Sequence, residues 1–246
     1  MLRQPVFIIH FSLFIIHWEI AALAFSPGTD PLAAKNKRKK MEEKVTFTSE
    51  GYEIEGLLDR KDSDRGFVVT HPHPLYGGDM HNYVVETVMN AYQKSGYTTL
   101  RFNFRGVGKS RGVYDNGIGE QQDVLSAIAY LSDAGMTQID LAGYSFGAWV
   151  NAGQKCKDAP VRNMVMISPP VGFMDFYPLS PIPNLNLVIT GSRDDIAPEG
   201  LIRKMVPAWN QKTRFEVIRG ADHFYMGYLE KLEKIVADMS ACSLAD

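Results

Sequence analysis

A serine near the middle of the sequence lies in the pattern most indicative of chemistry. Gly143-Tyr144-Ser145-Phe146-Gly147 matches G-x-S-x-G, with an apolar segment before it and an Ala/Trp/Val segment after it. In that context the pattern predicts a sharp strand-to-helix turn, because its glycines allow close backbone approach around an exposed hydroxyl. Five residues alone arise by chance in many proteins, so the flanking segments carry the argument. We therefore predict that Ser145 is a nucleophile.

A serine hydroxyl needs a base to take its proton, and the base needs an acid to orient it. At this type of turn the partners follow the serine along the chain, the acid before the histidine. Asp194 and Asp195 come directly after one predicted strand, and His223 comes after the next. Because the carboxyl ends of parallel strands share one edge of a sheet, we expect these side chains to lie near Ser145. Asp222 adjoins His223 in sequence and is poorly placed to orient that ring.

Acyl transfer also needs backbone N–H groups that face the developing negative charge on oxygen. One is expected from Phe146, the residue after the serine. The other is expected from the loop HPHPLYGG (71–78), which follows an apolar strand and whose two prolines have no N–H to donate. His73 is therefore the predicted second donor of the oxyanion hole, with Leu75 and Tyr76 behind it.

Alternating strands and helices must position these residues. Two strands of alternating hydrophobicity predict an antiparallel N-terminal hairpin with one solvent-exposed face. The short apolar strands and helices that follow predict an α/β domain over residues 41–246, with a mostly parallel central sheet and helices on both faces. We predict strands at 45–48, 52–58, 66–70, 97–104, 138–142, 164–168, 185–190 and 214–218, and helices at 82–94, 119–132, 146–156, 200–209 and 225–240.

The segment from about Val45 to Ala237 resembles the α/β-hydrolase superfamily, in particular small lidless members related to dienelactone hydrolases and to Xaa-Pro dipeptidyl-peptidase-like domains. The resemblance implies the α/β-hydrolase fold and a Ser-Asp-His triad. Its pattern G-x-x-D-x-x-x-P is matched by Gly191, Asp194 and Pro198, which favours Asp194 over Asp195 as the acid. The segments that carry the resemblance are HPHPLYGGDMHN (71–82), RFNFRGVGKSRG (101–112), GYSFGAW (143–149), GSRDDIAP (191–198) and GADHFY (220–225).

Two departures limit what the resemblance implies. Dienelactone hydrolases use a cysteine nucleophile, whereas this chain has Ser145, so lactone specificity does not transfer. Larger relatives insert a cap domain before the strand that bears the acid, but Pro169–Asn184 is too short for a helical lid. We therefore expect no cap domain and an open site, gated at most by the loop Phe173–Pro183.

Composition excludes several other functions. The 246 residues carry a formal net charge of -2, which gives no electrostatic reason to expect a nucleic-acid partner. Cys156 and Cys242 are far apart and lie in no metal-binding or redox motif. His71 and His73 lack the acidic or cysteine partners of a metal site. The segment 105–110 ends like a phosphate-binding loop but lacks its first glycine. We expect neither a metal nor another cofactor.

Residues 1–40 pose a separate question. The apolar run 5–25 and the basic run 35–40 permit a secretory signal peptide or a membrane anchor. Met41, directly before the first strand pattern, offers a third interpretation in which translation starts there. We expect a cytoplasmic protein if translation starts at Met41, and otherwise an exported or membrane-tethered one.

The predicted activity is hydrolysis of a carboxylic ester, or of a thioester, of a small molecule. It would use an acyl-enzyme formed on Ser145 with Asp194 and His223, and no cofactor. One alternative is peptidase-like or acyltransferase activity on the same triad. Another is a non-catalytic binding module that retains the fold. The residues indicate how the serine would react, and they leave its natural substrate and the oligomeric state open.

Overall fold

An eight-stranded mixed sheet forms the centre of the molecule. The computed structural model describes residues 42–242, so the expectations about residues 1–40 lie outside the described part of the chain. The strand order is β1-β2-β4-β3-β5-β6-β7-β8. β1 and β2 form an antiparallel hairpin, β2 is antiparallel to β4, and the remaining neighbours are parallel. The strands are Glu43–Ser49 (β1), Tyr52–Asp59 (β2), Arg65–Thr70 (β3), Thr98–Phe102 (β4), Gln138–Tyr144 (β5), Val161–Ile167 (β6), Leu185–Gly191 (β7) and Arg214–Ile218 (β8).

Helices cover both faces of the sheet, which confirms the predicted α/β fold with its antiparallel N-terminal hairpin. α1 and α6 pack against one face, and α2 to α5 pack against the other. Between residues 42 and 242 no helix is both long and apolar enough to span a lipid bilayer. The helices are Tyr83–Lys94 (α1), Ile118–Asp133 (α2), Phe146–Asn151 (α3), Gln154–Lys157 (α4), Glu199–Trp209 (α5) and Leu229–Cys242 (α6).

The apolar run in β3 shows why the central strands lack an alternating pattern. Val68 packs into the core on the α2 side, whereas Phe67 and Val69 pack into the core beneath α1. Both faces of the strand are therefore buried, and each fully buried apolar side chain contributes about 1.5–3 kcal/mol. Each of the eight predicted strands is present, with its ends displaced by at most three residues.

The prediction of one continuous helix at 146–156 is wrong. The chain instead forms two short helices, Phe146–Asn151 and Gln154–Lys157. Gly153 between them has an extended backbone, with φ −59° and ψ 159°. A Cβ at Gly153 would lie 2.4 Å from the side chain of Gln121 on α2, so the break lies at a position where close packing against α2 leaves room only for glycine.

The start of the last helix was also predicted wrongly. The pattern placed it at Tyr225, whereas the helix begins at Leu229. Tyr225 and Gly227 both have positive φ, at 56° and 78°, which a right-handed helix does not accept. The intervening turn keeps Tyr225 beside the candidate site, where its side chain is fully buried.

A buried ion pair holds the loop after β4 against α2. The Arg105 guanidinium donates to Asp123 at 2.8 Å, and the Arg105 backbone N–H donates to the same carboxylate at 3.0 Å. Both side chains are nearly inaccessible to solvent, while Glu50, which also contacts Arg105, is about half exposed. The segment 105–110, which resembled the end of a phosphate-binding loop, is thus a turn that this ion pair holds in place.

We expect Asp123→Ala to lower the free energy of unfolding by about 3–5 kcal/mol, because it leaves the Arg105 charge buried without its main partner. The matched control is Glu50→Ala, which removes the exposed partner of the same guanidinium and should cost about 1 kcal/mol or less. Urea unfolding at neutral pH measures both values. Equal losses in the two variants would contradict this interpretation.

Candidate active site

Ser145 lies on a strained turn between β5 and α3. Its backbone has φ 54° and ψ −117°, a region that costs a non-glycine residue about 1–3 kcal/mol. The flanking glycines make the turn possible. A Cβ at Gly143 would lie 2.5 Å from the Ala148 nitrogen, and a Cβ at Gly147 would lie 2.5 Å from Thr70 Oγ1. Gly143 is therefore packed against the backbone at the start of α3, and Gly147 against the end of β3, too closely for a larger residue at either position.

We expect Gly147→Ala to destabilise the protein by about 1–3 kcal/mol, because its Cβ would overlap backbone and side-chain atoms of β3 and the residue that follows it. The control is Gly200→Ala in α5, where a Cβ meets no atom within 4 Å. That change should stabilise the protein by roughly 0.5–1 kcal/mol, because alanine favours a helix over glycine. Denaturant midpoints measure both, and a stabilising effect at Gly147 would refute the packing argument.

The structure brings the side chains of Ser145, His223 and Asp194 together. Ser145 Oγ lies 3.0 Å from His223 Nε2, and His223 Nδ1 lies 3.0 Å from both carboxylate oxygens of Asp194. An ionised carboxylate only accepts, so Nδ1 carries the proton and Nε2 is left to accept from the serine. Asp195 is exposed to solvent, and Asp222 accepts a hydrogen bond from a backbone N–H of its own loop.

Asp194 is buried among donors. One carboxylate oxygen accepts the N–H groups of Ile196 at 3.0 Å and Ala197 at 2.8 Å, and the other accepts the Ser168 hydroxyl at 2.6 Å. Burial by itself raises the pKa of this carboxyl, but the charge and hydrogen bonds of His223, together with these donors, outweigh burial and lower the pKa below 3.8. Asp194 is therefore ionised at neutral pH and can balance an imidazolium at His223.

Three further residues at the site were missed in the sequence. Tyr144 donates its hydroxyl to the His223 carbonyl at 2.9 Å and so holds the histidine loop against β5. Ser168 directly follows β6, and Tyr225 contacts it from the turn before α6. A search for hydroxyl residues at the carboxyl end of every parallel strand would have found Ser168. No local pattern points to Tyr225.

The side chains of the two residues predicted to supply the oxyanion donors are in contact. The rings of His73 and Phe146 are 4.6 Å apart, and neither residue's backbone N–H has an acceptor within residues 42–242. The two alternatives are already used, because Leu75 N–H donates to His73 Nδ1 at 3.2 Å and Tyr76 N–H donates to the His73 carbonyl at 3.1 Å. Burial lowers the pKa of His73 to about 4, so its ring is neutral at neutral pH.

His71 has a structural role beside this loop. Its Nε2 accepts the Phe104 N–H at 3.0 Å, and its Nδ1 donates to the Pro72 carbonyl at 2.7 Å. Burial lowers its pKa to about 4, which keeps the ring neutral. Both nitrogens are occupied, so His71 has none to offer a metal ion. No cluster of three or more His, Cys, Asp or Glu residues in the described region could hold one either.

Comparison with known proteins was made by sequence and by fold. No protein-family model matches the chain. It is 35% identical over 181 residues to the uncharacterized protein RP471 of Rickettsia prowazekii, which covers 70% of this chain and 76% of that protein. An α/β serine hydrolase homologue from Coxiella burnetii is 33% identical, with a TM-score of 0.75 over 80% of this chain and 96% of that one. The chain belongs to the α/β-hydrolase superfamily.

This hydrolase is a lidless member of the superfamily. Between β6 and β7 the only regular element described is a short 3-10 turn, Tyr177–Leu179, as the length of the segment predicted. A similar solved structure is XC6422 from Xanthomonas campestris, described as an α/β serine hydrolase without a lid. It is 28% identical, with a TM-score of 0.73 over 80% of this chain and 92% of that one. The absence of a cap leaves the edge of the sheet near Ser145 uncovered by a separate domain.

Proposed function

We propose that this α/β hydrolase cleaves a carboxylic ester of a small molecule through an acyl-enzyme on Ser145. The observation that carries the proposal is the continuous hydrogen-bonded line from Ser145 Oγ through His223 to Asp194. The distance of 3.0 Å between Oγ and Nε2 is within the reach that a general base needs. All three side chains are buried, so water competes little for these hydrogen bonds.

The reaction proceeds in two halves. His223 Nε2 takes the hydroxyl proton while Ser145 Oγ bonds to the ester carbon, and the carbonyl electron pair moves onto oxygen. The N–H groups of Phe146 and His73 bind that oxyanion, and Asp194 balances the imidazolium. The intermediate collapses by breaking the bond to the alcohol oxygen, which receives the proton from Nε2. Water then repeats these steps on the acyl-enzyme and releases the carboxylic acid.

An ester is favoured over the other substrates of the same triad. An ester needs less activation than an amide, because an alkoxide is a better leaving group than an amide anion and departs as the alcohol with the proton from His223. The lidless site supports hydrolysis over acyl transfer, because no cap domain shields the acyl-enzyme from water. A thioester fits the same geometry. The hydrogen bond from Ser145 to a base that is itself held by a buried acid favours catalysis over a non-catalytic binding role.

We expect Ser145→Ala to lower the kcat for p-nitrophenyl acetate by at least about 10³-fold, because no other group can form the acyl-enzyme. The same variant should lose labelling by a fluorophosphonate probe. Ser132→Ala removes an exposed serine from α2 and is the matched control, with unchanged turnover and labelling. Labelling that persists in Ser145→Ala would falsify the assignment.

The second oxyanion donor is tested by two variants of His73 that both lack the imidazole and differ in the backbone N–H. The φ of His73 is −58°, which proline also adopts, so His73→Pro deletes the donor with little change in the backbone. We expect kcat to fall by about 10²–10³-fold. His73→Ala loses the same side chain but keeps the N–H, and should retain far more activity. Equal kcat values in the two variants would assign the loss to the side chain and overturn the role of the N–H.

A further inference from the structure

A second line of hydrogen bonds reaches the acid through two buried hydroxyl groups. Ser168 Oγ lies 2.6 Å from Asp194 Oδ2 and 2.7 Å from the Tyr225 hydroxyl oxygen. Ser168 and Tyr225 are both fully buried. They come from separate loops, one directly after β6 and the other before α6. Two hydroxyls and a carboxylate are thus held in contact away from solvent.

The direction of these hydrogen bonds follows from counting protons. An ionised carboxylate only accepts, so the single hydroxyl proton of Ser168 points to Asp194. Ser168 can then only accept from Tyr225, and Tyr225 must be the donor. Burial raises the pKa of Tyr225 far above its ordinary value of 10, so the phenol keeps the proton that it donates. Each bond polarises the next along such a chain.

Among the residues from 42 to 242, Ser168 is the one hydroxyl that donates to Asp194 at short distance. Thr190 Oγ1 also approaches the carboxylate, at 3.5 Å, but its proton is used at 2.7 Å by the Ala197 carbonyl. Oδ1 of Asp194 already receives two backbone N–H groups. Without Ser168, Oδ2 would have only His223 as a close donor, and the carboxylate would lose its support on one side.

Backbone strain marks the same residues. Between residues 42 and 242, five non-glycine residues have positive φ, and three of them meet here, at Ser145, Ser168 and Tyr225. Ser168 has φ 46° and Tyr225 has φ 56°. Such conformations are costly and persist where the surrounding contacts over-determine them, commonly at functional sites. Strain that serves only the fold has no reason to gather around one carboxylate.

We propose that Ser168 and Tyr225 are positioning residues for Asp194. Their hydroxyl groups form a hydrogen-bonded relay that holds the carboxylate against His223 and sets how strongly it attracts the histidine proton. The proposal rests on the proposed hydrolase function. Neither residue touches the reacting atoms. Their effect on catalysis passes through Asp194 and His223 to Ser145.

Removing the relay should change how strongly Asp194 and His223 compete for the proton between them. With one donor fewer, the charge on Oδ2 is less stabilised and attracts the histidine proton more strongly. Losing the Ser168 hydrogen bond also removes one of the causes that lower the pKa of Asp194, so the carboxylate takes up a proton at a higher pH. The carboxylate also gains freedom to rotate, so fewer encounters have the imidazole aligned with Ser145.

Two variants remove the relay with the least disturbance. Ser168→Gly deletes the hydroxyl, and glycine accepts a φ of 46° without strain. Tyr225→Phe removes the donor oxygen alone. The control is Tyr92→Phe. It deletes a buried hydroxyl that has no hydrogen-bond partner in the described part of the chain, and the ring of Tyr92 packs against Phe67 in the core beneath α1. Thermal unfolding of all three verifies that each is folded.

We expect Ser168→Gly to lower kcat for p-nitrophenyl acetate by about tenfold or more, and Tyr225→Phe by about threefold, with KM within about twofold of the wild type. In both, the acidic limb of the kcat/KM profile should move to higher pH by about half a unit. The other titratable groups facing this network are Tyr144 from β5, Tyr83 from α1 and Asp222 from the loop before α6. None of them is altered, and Tyr92→Phe should match the wild type.

A second readout needs no turnover. The proton shared by His223 Nδ1 and Asp194 can be followed by its low-field proton resonance, which should shift in both relay variants and stay unchanged in Tyr92→Phe. Kinetic profiles and a resonance that match the wild type in Ser168→Gly and Tyr225→Phe would overturn the relay. If Ser145→Ala still takes the probe, the proposed function fails, and the resonance alone decides the relay: a shift supports it and an unchanged signal refutes it.

Discussion

A buried carboxylate constrains the architecture of this site more than any other group. Asp194 is almost inaccessible to solvent, yet it is held in its charged form. A charge at that depth persists only when hydrogen bonds replace the water it has lost. Its donors come from its own loop after β7, from Ser168 after β6 and from His223 after β8. Three neighbouring strands must therefore end at matched heights, and the parallel register of the sheet provides this.

The nucleophile turn is governed by a different constraint, the close approach of chain segments. Gly147 allows the turn to pack against β3 and the residue after it, Gly143 allows the backbone to pack against the start of α3, and Ser145 is held in a strained conformation between them. The compensation comes from apolar packing on both faces of the sheet. Buried strands and helices can support a few strained residues because their contacts contribute far more than the strain removes.

The part of the site that holds the acid and base is rigid, whereas its entrance is exposed. The acid and base lie in a dense network of hydrogen bonds, with Tyr144 holding the histidine loop and Ser168 holding the acid. The entrance has no cap domain, and the loop that supplies His73 is secured by its own turn and by the neutral ring of His71. Such a site fits a catalyst that is preorganised before its substrate arrives, because no domain closure is available to assemble it.

Much of the fold was predictable because it depends on local patterns. Hydrophobic periodicity located the strands, and the alternating order of strands and helices indicated the α/β class. The errors fell where distant segments decide a local conformation. The helix break lies at Gly153, where Gln121 of another helix leaves no room for a side chain, and Tyr225 leaves the helical conformation while its hydroxyl lies against Ser168.

By itself the sequence determined the nucleophile candidate, its base and the order of the partners, because each belongs to a short motif next to a recognisable strand. The resemblance in register selected Asp194, whose carboxylate is buried beside His223, whereas Asp195 is exposed. Only the tertiary structure decided that the Leu75 and Tyr76 N–H groups are already bonded, and that Ser168 and Tyr225 meet across 57 residues of chain. A buried donor or acceptor is satisfied by whatever group the fold brings to it, and that neighbour has no signature in the local sequence.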